Sequence, residues 1–271
     1  MTAGRQGPLG SRRGWLSTAL SHLAPGVSAP ARAPLVSVVI PVYNHRRFVR
    51  DAVESVDAQT FRDLELVIVD DGSTDGGWGE IQALGPLSMP VRKVRQDHAG
   101  TAAALNTAIR QAHGSHIAWL SSDDRFMPDK LAAQVAYLRA HPDVALVYAD
   151  VYVDDELTGN SYLLRSSAFD DHARMVRELF RFCFINGSTT LVRRSAMDAV
   201  GGFDEGLLQA QDWDMWLRLS RDHRFGHIPL PLIRYRWHGG NLSLRDDAFA
   251  YHARVLEKAR AWYRAGGLEP P

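Results

Sequence analysis

The sequence predicts one α/β domain built on a mostly parallel, doubly wound sheet flanked by helices. Three observations carry this reading. Short apolar, β-branched runs alternate with segments of helical period, and several of those runs end abruptly in polar clusters. The length, 271 residues, suits one large core rather than two.

Taken in order, residues 1–34 are rich in Gly, Pro, Ala, Ser and Arg and read as a flexible arm, with a short amphipathic helix expected over Trp15–Leu23. Arg5, Arg12 and Arg13 precede that stretch, but Ser17, Thr18, Ser21 and His22 interrupt it, so it reads as a mature, cytoplasmic N-terminus rather than a signal peptide. Val36–Ile40 is a β-branched run suited to a buried parallel strand. Arg46–Gln59 places Phe48, Val49, Ala52, Val53 and Val56 on one helical face. Leu64–Val69 is a second strand, closed by Asp70, Asp71 and Gly72. Val91–Arg95 reads as a strand, and Ala102–Ala112 as a helix with Leu105, Ala108, Ile109 and Ala112 inward. His116–Leu120 is a further strand, ending in Ser121, Ser122, Asp123 and Asp124. Pro128 suits the first turn of a helix carrying Leu131, Val135 and Leu138. Between Asp154 and Asn186 the pattern loosens into a polar excursion, expected to form a lid or an acceptor-side loop. Residues 244–271 carry an amphipathic helix, Asp246–Ala265, with Ala248, His252, Val255, Ala259 and Trp262 on one face. Its readings are packing on the domain or contact with the inner face of a membrane.

Composition narrows the function. Lys plus Arg (31) equals Asp plus Glu (31), so no global field recruits nucleic acid. The one cysteine, Cys183, excludes an internal disulfide and a cysteine-built metal site, and fits a reducing compartment. No apolar run approaches the length of a membrane span.

In an open parallel sheet, ligands bind beyond the carboxyl ends of the strands, where strand order reverses. Tyr43-Asn44, Asp70-Asp71 and Ser122-Asp123-Asp124 stand at three such ends. Carboxylates gathered there either hold a cation that binds an anion, or accept hydrogen bonds from a nucleobase or ribose. Each cluster alone also reads as a turn or a helix cap. Neither a dinucleotide-binding glycine fingerprint nor a GxxxxGK[ST] loop is present, so phosphate would be handled through Mn²⁺ or Mg²⁺ on carboxylates. His238, in the glycine-flanked Arg236-Trp237-His238-Gly239-Gly240, is a candidate third ligand, and Arg236 a candidate charge over a diphosphate. His45, His98, His113 and His116 read as ordinary polar residues, and Trp213, Trp216 and Leu217 as core.

The segment VSVVIPVYNHRRFVRDAVESVDAQTFRDLELVIVDDGSTDG (residues 36–76) resembles the opening of family 2 glycosyltransferases of GT-A fold. HIAWLSSDDRFMPDKL resembles their metal-binding region, GGFDEGL their acceptor-side turn, QDWDMWLRL their catalytic helix, and RYRWHGGNLS a closing segment. The likeness covers 35–243 in the expected order. It implies inverting transfer of a sugar from a UDP, dTDP or GDP donor to a hydroxyl acceptor, in polysaccharide, glycolipid or glycoconjugate synthesis. It also implies nucleotide binding by Pro41, Tyr43, Asn44, Asp71, Asn106 and Ser122, a metal on Asp123 and Asp124 completed by His238, and Asp212 as general base. A lipid-linked acceptor would go with the membrane reading of the last helix. Three positions depart from the family pattern: Ser121 and Gln211 stand where acidic residues are usual, and Leu105 where arginine is frequent. The rival readings are a sugar-nucleotide nucleotidyltransferase, which lacks its basic glycine-rich signature here, and a degenerate nucleotide-sugar-binding module.

Overall fold

A computed structural model describes residues 33–241, 244 and 248–271. The expected arm with its helix at Trp15–Leu23, and the Ser243 end of the closing segment, lie outside the described residues. Strands β1 (Val36–Val42), β2 (Leu64–Asp71), β3 (Val91–Gln96) and β4 (His116–Trp119) form a parallel block in the order β3-β2-β1-β4. Helices α1 (Val49–Asp57), α2 (Gly77–Gln82) and α3 (Thr101–Gln111) make the crossovers.

The continuous apolar runs follow from burial on both faces. Along β1, Val39 enters one core layer with Val67, Leu105 and Trp119. Val36, Val38, Ile40 and Val42 enter the other, with Leu66, Ile68 and the α1 face of Val49, Ala52, Val53 and Val56. Pro41 is tolerated in this central strand for a local reason. Val39 O accepts from Leu120 N on the β4 side, and Pro41 faces that same side past the last β1–β4 pair, Val39 with Trp119. Its missing N–H therefore leaves no ladder bond unmade.

The second half departs from a doubly wound parallel sheet. After β5 (Arg125–Phe126) and α4 (Lys130–Ala140) come β6 (Val144–Asp155), β7 (Asn160–Leu164), α5 (His172–Leu179), β8 (Leu191–Arg193), α6 (Arg194–Ala199), α7 (Gln211–Ser220), β9 (Arg224–Trp237) and α8 (Ala248–Ala265). β8 lies antiparallel to both β4 and β6, and β9 runs parallel to β6, so the sheet is mixed. Pro229 and Pro231 fall where the β6–β9 register shifts, as a strand proline requires. Pro128 lies ahead of α4 rather than in its first turn, since the helix begins at Lys130.

The stretch expected to be a loose excursion is ordered as the β6–β7 hairpin and α5. β7 is exposed along its length, so it carries no alternation for a pattern search to find. One compact unit spans Pro34–Pro271, with α8 inside it. Val255, Ala259 and Tyr263 of α8 are buried, and Lys258 Nζ bonds both Asp204 Oδ2 and Asp214 Oδ1. Val255, Ala259 and Tyr263 thus pack α8 on the domain. No described helix is long and apolar enough to cross a membrane.

A 3₁₀ turn, Gly187–Thr189, passes close behind β4. A Cβ at Gly187 would lie 2.4 Å from the Trp119 ring. Gly187→Ala is therefore expected to destabilise the fold by about 1–3 kcal/mol through overpacking. A urea unfolding midpoint equal to that of the wild type would show that the turn can move away from Trp119.

Candidate functional site

Strand order reverses between β1 and β4, so the tips of these two strands flank the crevice where such sheets bind ligands. Two side-chain groups carry the candidate chemistry: a polar, largely buried cluster at these tips, and a group lining a cavity formed by later segments.

At the tip of β4 the chain turns, so that Ser122 and Asp123 face one cluster and Asp124 faces away from it. Ser122 Oγ bonds His45 Nδ1 at 2.8 Å. Asp123 Oδ2 lies 3.2 Å from His238 Nε2. His45, Asp123 and His238 each offer a ligand atom within 4.8 Å of the others. Asp124 points inward instead: its Oδ1 accepts from Arg236 N at 3.0 Å and its Oδ2 from Ser188 Oγ at 2.6 Å. Burial and the neighbouring Asp123 charge push the Asp124 carboxyl well up. The cluster therefore brings Asp123 and His238 together as expected, leaves Asp124 behind as a buttress, and adds His45.

His45 follows the left-handed Asn44 (φ 53) at the end of β1. Burial holds its imidazole below the ordinary range, with Asp123 opposing and His238 reinforcing the shift. It is thus neutral near pH 7, the form a cation requires. A neutral imidazole, another imidazole and a carboxylate form a donor set that fits Mn²⁺ better than Mg²⁺. His238 Nδ1 accepts from Gly240 N at 3.1 Å, which puts the ring proton on Nε2 toward Asp123. A cation taken by Nε2 would displace that proton, and the Gly239-Gly240 pair gives the loop room to adjust.

Arg236 does not reach over the crevice. Its guanidinium bonds Asp51 Oδ2 at 2.9 Å, Glu156 Oε1 at 3.1 Å and Asp123 O at 3.1 Å, and covers the Phe48 ring. It braces the cluster from behind.

Asp71 sits at the tip of β2, buried. Its carboxylate accepts from Gln96 Nε2, His98 Nδ1 and the backbone N of Ala99 and Gly100, at 2.8–3.0 Å. It thereby fixes the loop from β3 into α3, while His98 stacks on Tyr43 with ring centroids 3.9 Å apart. Gly72, Arg95, Gln96, Asp97 and His98 line an open cleft beside it. Asn44 Oδ1 accepts from Thr74 N at 2.8 Å, which ties the β1 tip to the turn after β2. Pro41, Tyr43, Asn44, Asp71 and Ser122 thus gather around the β1 and β2 tips and β4. Asn106 does not join them: its amide donates to Phe203 O and Glu205 Oε1 and accepts from Phe203 N, each at 2.9 Å. Its part is to hold the 201–206 turn against α3. Leu105, beside it, is core.

Asp212 stands in the first turn of α7, after the left-handed Ala210 (φ 56). It lines a cavity of about 630 Å³ walled by residues 164–167, 182–186 and 209–213 together with His252. Burial pushes its carboxyl up to about 6, opposed by the N–H of Trp213 at 2.8 Å and by its own backbone N–H. Asp214, by contrast, is ion-paired to Arg218 at 2.7 Å and Lys258 at 2.6 Å, so its charge is spoken for. The two groups share a short connection. Asn186 lines the Asp212 cavity, and Ser188, two residues on, bonds Ser121 N and Asp124.

The model of the family described as "Glycosyl transferase family 2" matches residues 37–201. The chain belongs to glycosyltransferase family 2. An uncharacterized glycosyltransferase of Rickettsia bellii is 31% identical to this family member over 226 residues, covering 82% of this chain and 33% of its own length. Chondroitin synthase of Escherichia coli is 32% identical over 233 residues, covering 84% of this chain and 33% of that protein. The chain therefore spans about a third of the length of these two relatives. Among solved structures, S. aureus TarS 1–349 in complex with UDP-GlcNAc superposes with a TM-score of 0.68 at 19% identity, over 83% of this chain and 66% of that one. The mannosyltransferase PcManGT of Pyrobaculum calidifontis, in complex with GDP-Man and Mn²⁺, gives 0.63 at 22% identity, over 93% and 70%. These likenesses establish the GT-A-like fold.

Ser188 is the hinge of the site as built, since one hydroxyl serves both Ser121 N and Asp124. Ser188→Ala should cost about 1–3 kcal/mol by leaving a buried carboxylate oxygen unpaired. Chemical denaturation reads this directly, and an unchanged free energy would mean that water replaces the hydroxyl without loss.

Proposed function

We propose that this chain is an inverting glycosyltransferase that moves a sugar from a UDP, dTDP or GDP donor to an acceptor hydroxyl. The observation that carries the reading is the junction just described. A raised carboxylate in a roomy cavity and a histidine–aspartate–histidine cluster are linked by the short stretch Asn186–Ser188, which lines the one and bonds the strand end of the other. Family membership supplies the reaction class.

In this reading the nucleotide lies along the β1 and β2 tips, where Tyr43 and the loop held by Asp71 form its walls. His45, Asp123 and His238 would hold a divalent cation, Mn²⁺ in preference to Mg²⁺, which when bound neutralises charge on the leaving diphosphate. On the opposite side Asp212 accepts the proton of the acceptor hydroxyl as its oxygen attacks the anomeric carbon. The bond to the diphosphate breaks with its electron pair, and the configuration inverts, since among the described residues lining the cavity Asp212 is the one carboxylate and no second is there to act as nucleophile. Burial gives Asp212 a pKa close to working pH, which suits a general base.

The cation assignment is read by thermal shift with UDP, GDP or dTDP, with and without Mn²⁺. Asp123→Asn should abolish the metal-dependent stabilisation, and His45→Ala and His238→Ala should each weaken Mn²⁺ affinity by about tenfold or more. Wild-type metal affinity in all three variants would place the cation elsewhere.

The base assignment has two signatures of opposite sign. Asp212→Asn should lower turnover by about two to four orders of magnitude, and wild-type turnover should fall as the pH drops below about 6. The folded carboxyl titrates above its ordinary 3.8, so its charge opposes folding at neutral pH. The variant should therefore melt higher at pH 7, with the gain shrinking between about 6 and 3.8. A variant with normal turnover, or a flat profile across pH 5–7, would remove Asp212 from the reaction.

A further inference from the structure

The wall of the Asp212 cavity carries two side chains that the transfer chemistry leaves unused. Arg165 lines it at the end of β7, exposed, with no carboxylate, carbonyl or ring partner among the described residues. Nearby arginines are engaged: Arg181 pairs with Glu178 at 3.2 Å and Arg174 covers the Phe169 ring. Gln211, beside Asp212, is 6% exposed, and its Oε1 has no hydrogen-bond partner. A buried acceptor left open is costly unless a ligand fills it. Gln211 is neutral, and Asp212 is the one carboxylate among the residues lining the cavity. Leu164 and Phe182, 53% and 48% exposed, line the same cavity and offer apolar surface to the C–H face of a ring.

We infer that this cavity selects an acceptor bearing a negatively charged group beside the hydroxyl it presents to Asp212. Arg165 takes the anion, and Gln211 Oε1 takes a hydrogen from a neighbouring hydroxyl or amide. The inference rests on the Asp212 cavity being the acceptor side. A guanidinium binds carboxylate and phosphate through the same paired N–H geometry, so the class is a hydroxyl compound bearing a carboxylate or a phosphate.

The test is calorimetric titration of the full chain with methyl β-glucuronide, glycerol 3-phosphate and the neutral methyl β-glucoside. At least one anion should bind about tenfold or more tightly than the glucoside, the glucuronide pointing to a carboxylate and the glycerol phosphate to a phosphate. Arg165→Gln, an exposed change that leaves packing intact, should bring the preferred anion down to the glucoside's affinity. Gln211→Glu should weaken the anion and spare the glucoside. Arg139→Gln on α4, an equal change of charge outside the cavity, should keep the preference. Anions that bind no better than the glucoside, or a preference that survives Arg165→Gln, would overturn the inference. Binding is read without turnover, so that failure is distinct from the failure of Asp212 as base, which the rate of Asp212→Asn reports.

Discussion

The crevice is organised around the inward carboxylate of Asp124. It is almost wholly buried, next to another carboxylate, and its ordinary charge is strongly disfavoured there. What compensates comes from two distant segments, a hydroxyl 64 residues away and a backbone N–H 112 residues away. The turn after β4, the 3₁₀ turn and the end of β9 must therefore arrive together. Once Asp124 faces in, its neighbour Asp123 faces His238, and Arg236 is drawn down onto Asp51, Glu156 and Phe48. The anchoring of one side chain thus sets the direction of several others.

A similar division holds across the site. Asp71 and Asn106 were attractive as ligand contacts, yet both spend their polar atoms on loops that shape the crevice. Asp212 is the reverse case: it has few partners, and its pKa is moved mainly by loss of water. Side chains with saturated hydrogen bonding make rigid walls, while under-satisfied ones at the surface of a cavity retain capacity for a substrate.

The parallel half of the fold was legible because each strand is buried on both faces and each crossover helix has a single apolar stripe, as Val49, Ala52, Val53 and Val56 show. The strand-tip clusters were legible for the same reason, since polar residues stand out where an apolar run stops. The antiparallel half was not. β7 is exposed throughout, β8 has only three residues, and the direction of β8 depends on pairing with β4 rather than on local pattern. The place of His45 in the cluster was not legible because its neighbours there, Asp123 and His238, come from other strand ends far along the chain. Its one local sign was its place directly after the Tyr43-Asn44 tip. The different settings of Asp123 and Asp124 were not legible, because adjacent acidic residues look equivalent in a sequence although a turn sends these two to opposite sides.

Lys258 gives α8 a part that its amphipathic pattern does not announce. A single ammonium serves Asp204, in the turn held by Asn106, and Asp214, two residues after Asp212. Two carboxylates sharing one counter-ion are energetically coupled, so substitutions at Asp204 and Asp214 will not act independently. Either loss leaves the ammonium with one partner, and only the pair of losses strands it. Sequence drift at one of these positions therefore changes which residues are tolerated at the other, and the last helix enters the evolutionary history of the helix that carries Asp212 through that epistasis.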